Sequence, residues 1–308
     1  MASNTENRYQ LKTLSSVSSN KIIKELAWVI TISRPRFWTY LVGPWAVGMV
    51  CASNTFSDFS ELLFWIGMLF FTWPANAFLY GINDYSDGDT DKFNLKKENY
   101  ESRYSNRKNP ILLTVCLLVI IFSFVFLWIL PNLSSKIVFI IWLILSATYS
   151  LKPIRFKSRL FLDSLSNVLY ILPGVTAFLI FEPVENLSWP VVIAAWSWAM
   201  GMHLFSALPD IYADKKANVQ TTAVWLGRDF AILLTLLYYS VSMVLCVKYL
   251  NLSLGILGCF AYCFPTLYVL VSKNDKLIMS IYKLFPIINA FCGGCLFVYI
   301  FFEHNLLG

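Results

Sequence analysis

Charge is what this sequence has least of. Only 14% of its 308 residues are charged, against 57% hydrophobic and 17% aromatic. Soluble domains carry roughly 25% charged residues, so the chain has too little polar surface to clothe a water-soluble globule. A cleavable leader is missing too. Met1 to Asn20 is polar and rich in Ser and Asn, with no apolar core beside a cleavage site, and reads as a cytosolic tail. The seven cysteines are scattered, mostly within apolar stretches. Cys292 and Cys295 make a Cys-x-x-Cys, but Gly293 and Gly294 separate them inside an apolar run and no second Cys/His pair stands nearby. They read as small residues for helix packing, and no disulfide is expected.

Long apolar runs are what the chain has instead. Ile111 to Leu130 and Phe230 to Val247 contain no charge and approach the ~20 residues a helix needs to cross a bilayer. Nine candidate spans lie near 24–52, 61–83, 111–130, 135–150, 161–181, 189–209, 229–249, 252–271 and 283–303. Backbone groups find no partner in lipid, so each must be a helix or part of a closed barrel. Continuous apolar runs without strict alternation favour helices. The expectation is an all-α polytopic membrane protein, with a polar tail over 1–23 and one membrane domain over 24–308.

Orientation follows from the basic residues. With the N-terminus in the cytoplasm, every Lys and Arg except Lys136 and Lys248 falls on the cytoplasmic side. This predicts an N-terminus inside and a C-terminus outside, in the cell's inner membrane. The net charge of +6 then describes a face near anionic lipid, not a nucleic-acid site.

Two acidic segments carry chemistry. The first, Asn83-Asp84-Tyr85-Ser86-Asp87-Gly88-Asp89-Thr90-Asp91, ends the second span. Asn83, Asp87 and Asp91 recur every four residues, so two further helical turns would stack them on one face. Stacked carboxylates repel unless a cation lies between them, and magnesium commonly bridges carboxylates to substrate phosphates. The second, Pro209-Asp210-Ile211-Tyr212-Ala213-Asp214, ends the sixth span with the same spacing. Asn76 precedes Asn83 by seven residues, as His203 precedes Asp210. The segments are 127 residues apart, a weak internal repeat. Facing each other, they would clamp a diphosphate through two metals. A solvated acidic loop or a calcium loop is the alternative for either segment alone, though the first lacks the glutamate that closes an EF-hand.

Metal does not fully neutralise a diphosphate, and Tyr149-Ser150-Leu151-Lys152-Pro153-Ile154-Arg155-Phe156-Lys157 supplies cations on the same side. A cation-coupled transporter would also use carboxylates. It would place them deep in several spans, whereas here they lie at helix ends on one side, apart from Glu25 and Asp163.

With these motifs the chain resembles the UbiA superfamily of intramembrane aromatic prenyltransferases. Asn83-x-x-x-Asp87-x-x-x-Asp91 and Asp210-x-x-x-Asp214 match its two Asp-rich motifs. Tyr149-x-x-Lys152 with Arg155 and Lys157 matches the motif between them, and Ser33-Arg34-Pro35-Arg36-Phe37-Trp38 agrees as well. The resemblance implies nine helices around a central cavity, and magnesium-dependent transfer of an isoprenoid from an allylic diphosphate to a lipophilic acceptor within membrane lipid. Asn83, Asp87, Asp91, Asp210 and Asp214 would hold metal, the four aspartates being catalytic. Tyr149, Lys152, Arg155, Lys157 and Arg34 would hold the diphosphate, and Asn76 and His203 would line the cavity. No Ser/His/Asp or Cys/His arrangement is needed. Pro74 to Gly81, Thr90 to Lys97, Phe161 to Asn167 and Gly201 to Asp210 are similar to lycopene elongases. That implies a C5 unit from dimethylallyl diphosphate joined to a carotenoid. A quinone, chlorophyll or glycerol-phosphate precursor is the alternative acceptor.

Overall fold

The computed structural model of the protein describes residues 25, 27–87 and 110–304. Among these residues the fold is all-helical, with no strand. After a helical stretch over 27–32 the chain runs through α1 (Thr39–Ala52), α2 (Leu62–Thr72), α3 (Pro74–Ser86), α4 (Pro110–Ile129) and α5 (Leu133–Thr148). It continues through α6 (Leu162–Leu165), α7 (Leu172–Phe181), α8 (Trp189–Ala207), α9 (Ile211–Lys216) and α10 (Thr222–Tyr249). It closes with α11 (Leu252–Gly258), α12 (Phe264–Ser272) and α13 (Asp275–Glu303).

Seven helical segments among the described residues are long and apolar enough to cross a membrane, where nine spans were expected; α5 is a shorter apolar helix, and α1 has 14 residues. The outer surface agrees with a lipid solvent. Along α4, Leu113, Leu117, Phe124 and Trp128 are exposed, Trp128 by 82%. A water-soluble protein does not present so continuous an apolar face.

Two interior clusters hold the helices together. The first joins α1–α5 and α7 around Trp45, Phe70, Phe126, Phe139 and Trp142, all essentially inaccessible. Phe70 stacks on Phe126 with ring centroids 5.2 Å apart, and the Trp45 indole donates to the Phe64 carbonyl. The second joins α8, α10 and α13 around Phe205, Tyr239, Tyr262 and Phe285. Helix α1 meets α7 through two small residues. A Cβ on Gly48 would stand 2.0 Å from the Gly174 carbonyl oxygen, so the backbones touch only because side chains are absent.

Two breaks shape the helices that reach the site. Pro74 has no N–H to donate, so the second span ends as α2 and restarts as α3. The Asn76 amide then donates to the Phe71 and Thr72 carbonyls at the break. Pro209 similarly ends α8 in a 3-10 turn, Leu208–Asp210, before α9. All seven cysteines are free.

Candidate active site

The Asp-bearing helix ends converge on one cavity of about 240 Å³. From α3 come Tyr80, Asn83 and Asp87, and from the end of α8 and from α9 come Asp210 and Asp214. Helix α3 stops at Ser86, with Asp87 as its C-cap. Asn83 and Asp87 therefore lie side by side, the Asn83 amide donating to Asp87 Oδ2 at 3.0 Å. Asp91 lies outside the described residues.

The loop after α5 folds back into this end of the cavity. The Arg155 amide donates to the Leu151 carbonyl and the Lys157 amide to the Tyr149 carbonyl. Arg155 takes a left-handed backbone conformation, φ 45°, which costs a non-glycine residue energy. The turn directs alternate residues differently. Arg155 and Lys157 line the cavity, while Lys152 is exposed. Asp87 Oδ1 takes the Arg155 guanidinium at 3.1 Å and the Lys157 ammonium at 2.5 Å. Lys157 also donates to Asn83 Oδ1 at 2.7 Å, an atom that Ser150 Oγ reaches at 3.1 Å. Burial pushes the Lys157 amine below the usual lysine range, and the Asp87 carboxylate opposes that shift.

Arg34 also lines the cavity. It bonds the buried Asp84 at 2.7 Å and places its guanidinium 4.7 Å from the centre of the Tyr80 ring. Aromatic residues line the same cavity: Phe37, Tyr40, Tyr80, Tyr170, Trp198 and Tyr282. Phe37 lies 5.2 Å from Tyr40 and 5.8 Å from Tyr80, centroid to centroid.

Of the residues singled out from sequence, Arg34, Asn83, Asp87, Tyr149, Arg155, Lys157, His203, Asp210 and Asp214 all line this cavity. Lys152 and Asn76 do not. Lys152 is carried outward by the turn, and Asn76 is buried at the helix break, where its amide satisfies carbonyls. Tyr149 turns its hydroxyl toward His203 Nδ1, 3.4 Å away.

Sequence reasoning missed Asp84 as the partner of Arg34, and the aromatic residues Tyr40, Tyr80 and Tyr170 individually. It also passed over Asp163, whose carboxylate accepts from the Thr222 amide and hydroxyl. An acidic residue at the head of an apolar span was the available signal.

Residues 40–301 match the UbiA prenyltransferase family. The chain belongs to that family and is an integral, multi-pass membrane prenyltransferase. A lycopene elongase/hydratase of Haloarcula japonica is 37% identical over 273 residues, covering 87% of this chain and 89% of that protein. The lycopene elongase/hydratase of Halobacterium salinarum is 40% identical over 212 residues, 67% of this chain and 73% of its own length. A UbiA homologue from Archaeoglobus fulgidus, solved bound to GPP and Mg2+, has a TM-score of 0.63 at 20% identity, over 88% of this chain and 99% of the other. The same homologue solved with DMAPP and Mg2+ gives 0.62. Both likenesses concern the fold.

Proposed function

We propose that the protein transfers a dimethylallyl group from its diphosphate to an end of a long polyene such as lycopene, with magnesium required. One observation carries this reading. A single cavity is lined by carboxylate, amide and cationic groups together with aromatic rings. The names of the relatives, and the DMAPP and GPP bound to the archaeal homologue, support it.

The donor set fits magnesium. Asn83, Asp87, Asp210 and Asp214 offer oxygen ligands, which hard cations select. No three His, Cys, Asp or Glu side chains cluster as a metal cage among the described residues. That suits a cation that shares its coordination with diphosphate oxygens and water. Asp91 is assigned to the same set. Magnesium held there would neutralise charge on the diphosphate as it departs.

The protein's own groups do the rest. Arg155 and Lys157 stand next to Asp87 and can shift onto diphosphate oxygens, Arg155 by a two-pronged contact and Lys157 as a point charge. Both favour the state in which negative charge has built up on the leaving group. Arg34 is tied to Asp84 and contributes its charge from across the cavity. The rings of Tyr40, Tyr80 and Tyr170 present electron-rich faces to an allylic cation and keep water away from it. The electron-rich end of the polyene then attacks.

In this reading the polar end of the cavity faces the cytoplasm, where the donor is dissolved, and the apolar part lies at membrane depth. The excess of Lys and Arg on one side supports an N-terminus inside and a C-terminus outside. The test uses membranes containing the protein, magnesium, labelled dimethylallyl diphosphate and lycopene, in parallel with geranyl diphosphate and with quinone precursors. Label is expected in a carotenoid. Label reaching only a quinone precursor would sink the proposed acceptor.

A further inference from the structure

Prenyl transfer to an alkene ends with a proton to remove, and the metal-binding end of the cavity is poorly suited to take it. A separate chain of three side chains reaches the cavity wall from within the protein. Asp163, in α6, has no accessible surface. Its carboxylate is fixed by the Thr222 amide at 2.7 Å, the Thr222 hydroxyl at 2.5 Å and the Ser164 amide at 2.8 Å. Its Oδ2 lies 3.9 Å from Nε2 of His203, a buried atom that makes no hydrogen bond. The other ring nitrogen, Nδ1, lies 3.4 Å from the Tyr149 hydroxyl. Tyr149 and His203 both line the cavity.

Capping the start of α10 accounts for the bonds between Asp163 and Thr222. It does not account for an imidazole placed between that carboxylate and the cavity. The Asp163 charge, 3.9 Å from Nε2, favours electrostatically the tautomer with its proton there, which leaves Nδ1 to face Tyr149. In that tautomer the histidine can accept a proton through the phenol, and the resulting imidazolium would face a fixed negative charge.

We propose that Tyr149 and His203, positioned by Asp163, are the proton acceptor that terminates the reaction; this rests on the prenyl-transfer reading above. The allylic C–O bond breaks with its electron pair leaving on the diphosphate. The terminal π pair of the acceptor forms the new C–C bond and leaves a tertiary cation. A neighbouring C–H bond gives its electrons to a new C=C bond and its proton to the Tyr149 oxygen. The hydroxyl proton of Tyr149 passes to His203 Nδ1 in the same event. Where water adds to the cation instead, the proton shed by the new C–OH2+ group takes the same route. Tyr149 and His203 are catalytic residues in this scheme, and Asp163 is a positioning residue.

The test compares wild type with Tyr149→Phe, His203→Ala and Asp163→Asn in membranes, measuring diphosphate release, carotenoid product and product identity. His203→Ala and Asp163→Asn are each expected to keep the KM for dimethylallyl diphosphate within about twofold, while carotenoid formation falls in all three variants, roughly 10²-fold for the two catalytic residues. The single product should split into double-bond isomers and water-quenched material. Added imidazole should restore His203→Ala but not Tyr149→Phe. Wild-type rates and a single product in both Tyr149→Phe and His203→Ala would overturn the relay while leaving prenyl transfer intact. So would a loss in His203→Ala that imidazole does not reverse. A wild-type protein that releases diphosphate without prenylating lycopene would overturn the acceptor reading and the relay with it.

Discussion

At the first acidic helix end Asp87 is held between Arg155 and Lys157, two cations turned inward by their loop. At the second, the lysines that adjoin in sequence face outward: Lys215 and Lys216 are exposed, and Lys216 lies over the Tyr212 ring at 4.6 Å. Two segments with the same aspartate spacing have therefore become different surfaces. The first combines anionic and cationic groups and is suited to exchange its internal ion pairs for diphosphate contacts. The second brings its aspartates to the cavity, while the two lysines that follow in sequence are exposed. The contrast lies in where the cations fold, not in the acidic motif itself.

Replacing the aspartates should show the largest effects and can break this comparison. Asp87→Ala and Asp210→Ala should each lower prenyl transfer by roughly 10²-fold or more, because charge stabilisation at the leaving group is lost. Asp87→Ala should also lose stability, because it removes the carboxylate that Arg155 and Lys157 share, a change that costs about 3–5 kcal/mol when such a pair is buried. A melting temperature equal to wild type in detergent would refute that ion-paired arrangement.

Cation substitutions come next. Arg155→Ala removes a charge-assisted contact worth about 1.5–3 kcal/mol and should raise the donor KM by roughly 10- to 100-fold. Lys152→Ala, on the exposed side of the same loop, should change it by no more than about twofold. Steady-state kinetics with dimethylallyl diphosphate separates the two, and a large effect at Lys152 would place the loop differently.

Chelation sharpens the second helix end. Removing magnesium should abolish turnover, and restoring it with donor at 100 times Kd should stabilise the protein by about 2.7 kcal/mol. Asp210→Ala should lose that thermal shift, read by melting with and without both ligands. The smallest effect is expected at Lys215→Ala and Lys216→Ala, each within about twofold of wild-type turnover.

Much of the fold was legible because lipid imposes a simple rule. A run of apolar residues long enough to cross must be helical, but the restarts at Pro74 and Pro209 came only from the structure. The i, i+4 spacing likewise placed Asn83 beside Asp87. The seven-residue correspondence between Asn76 and His203 had no such force. Asn76 spends its amide on carbonyls exposed by a proline break, whereas His203 faces the cavity. Nor could spacing tell Lys152 from Arg155 and Lys157. That choice depends on a loop whose Arg155 adopts φ 45° and whose amides bond back to Leu151 and Tyr149.

By itself the sequence determined a helical membrane protein with two acidic helix ends and a basic loop, since composition and helical period act locally along the chain. Only the tertiary structure decided that both ends share one aromatic cavity, and which cations turn into it. Only packing, too, set Asp163 against Thr222, 59 residues away, and His203 against Tyr149, 54 residues away. Such contacts arise from how the helices pack, and no local pattern encodes a distance between residues so far apart.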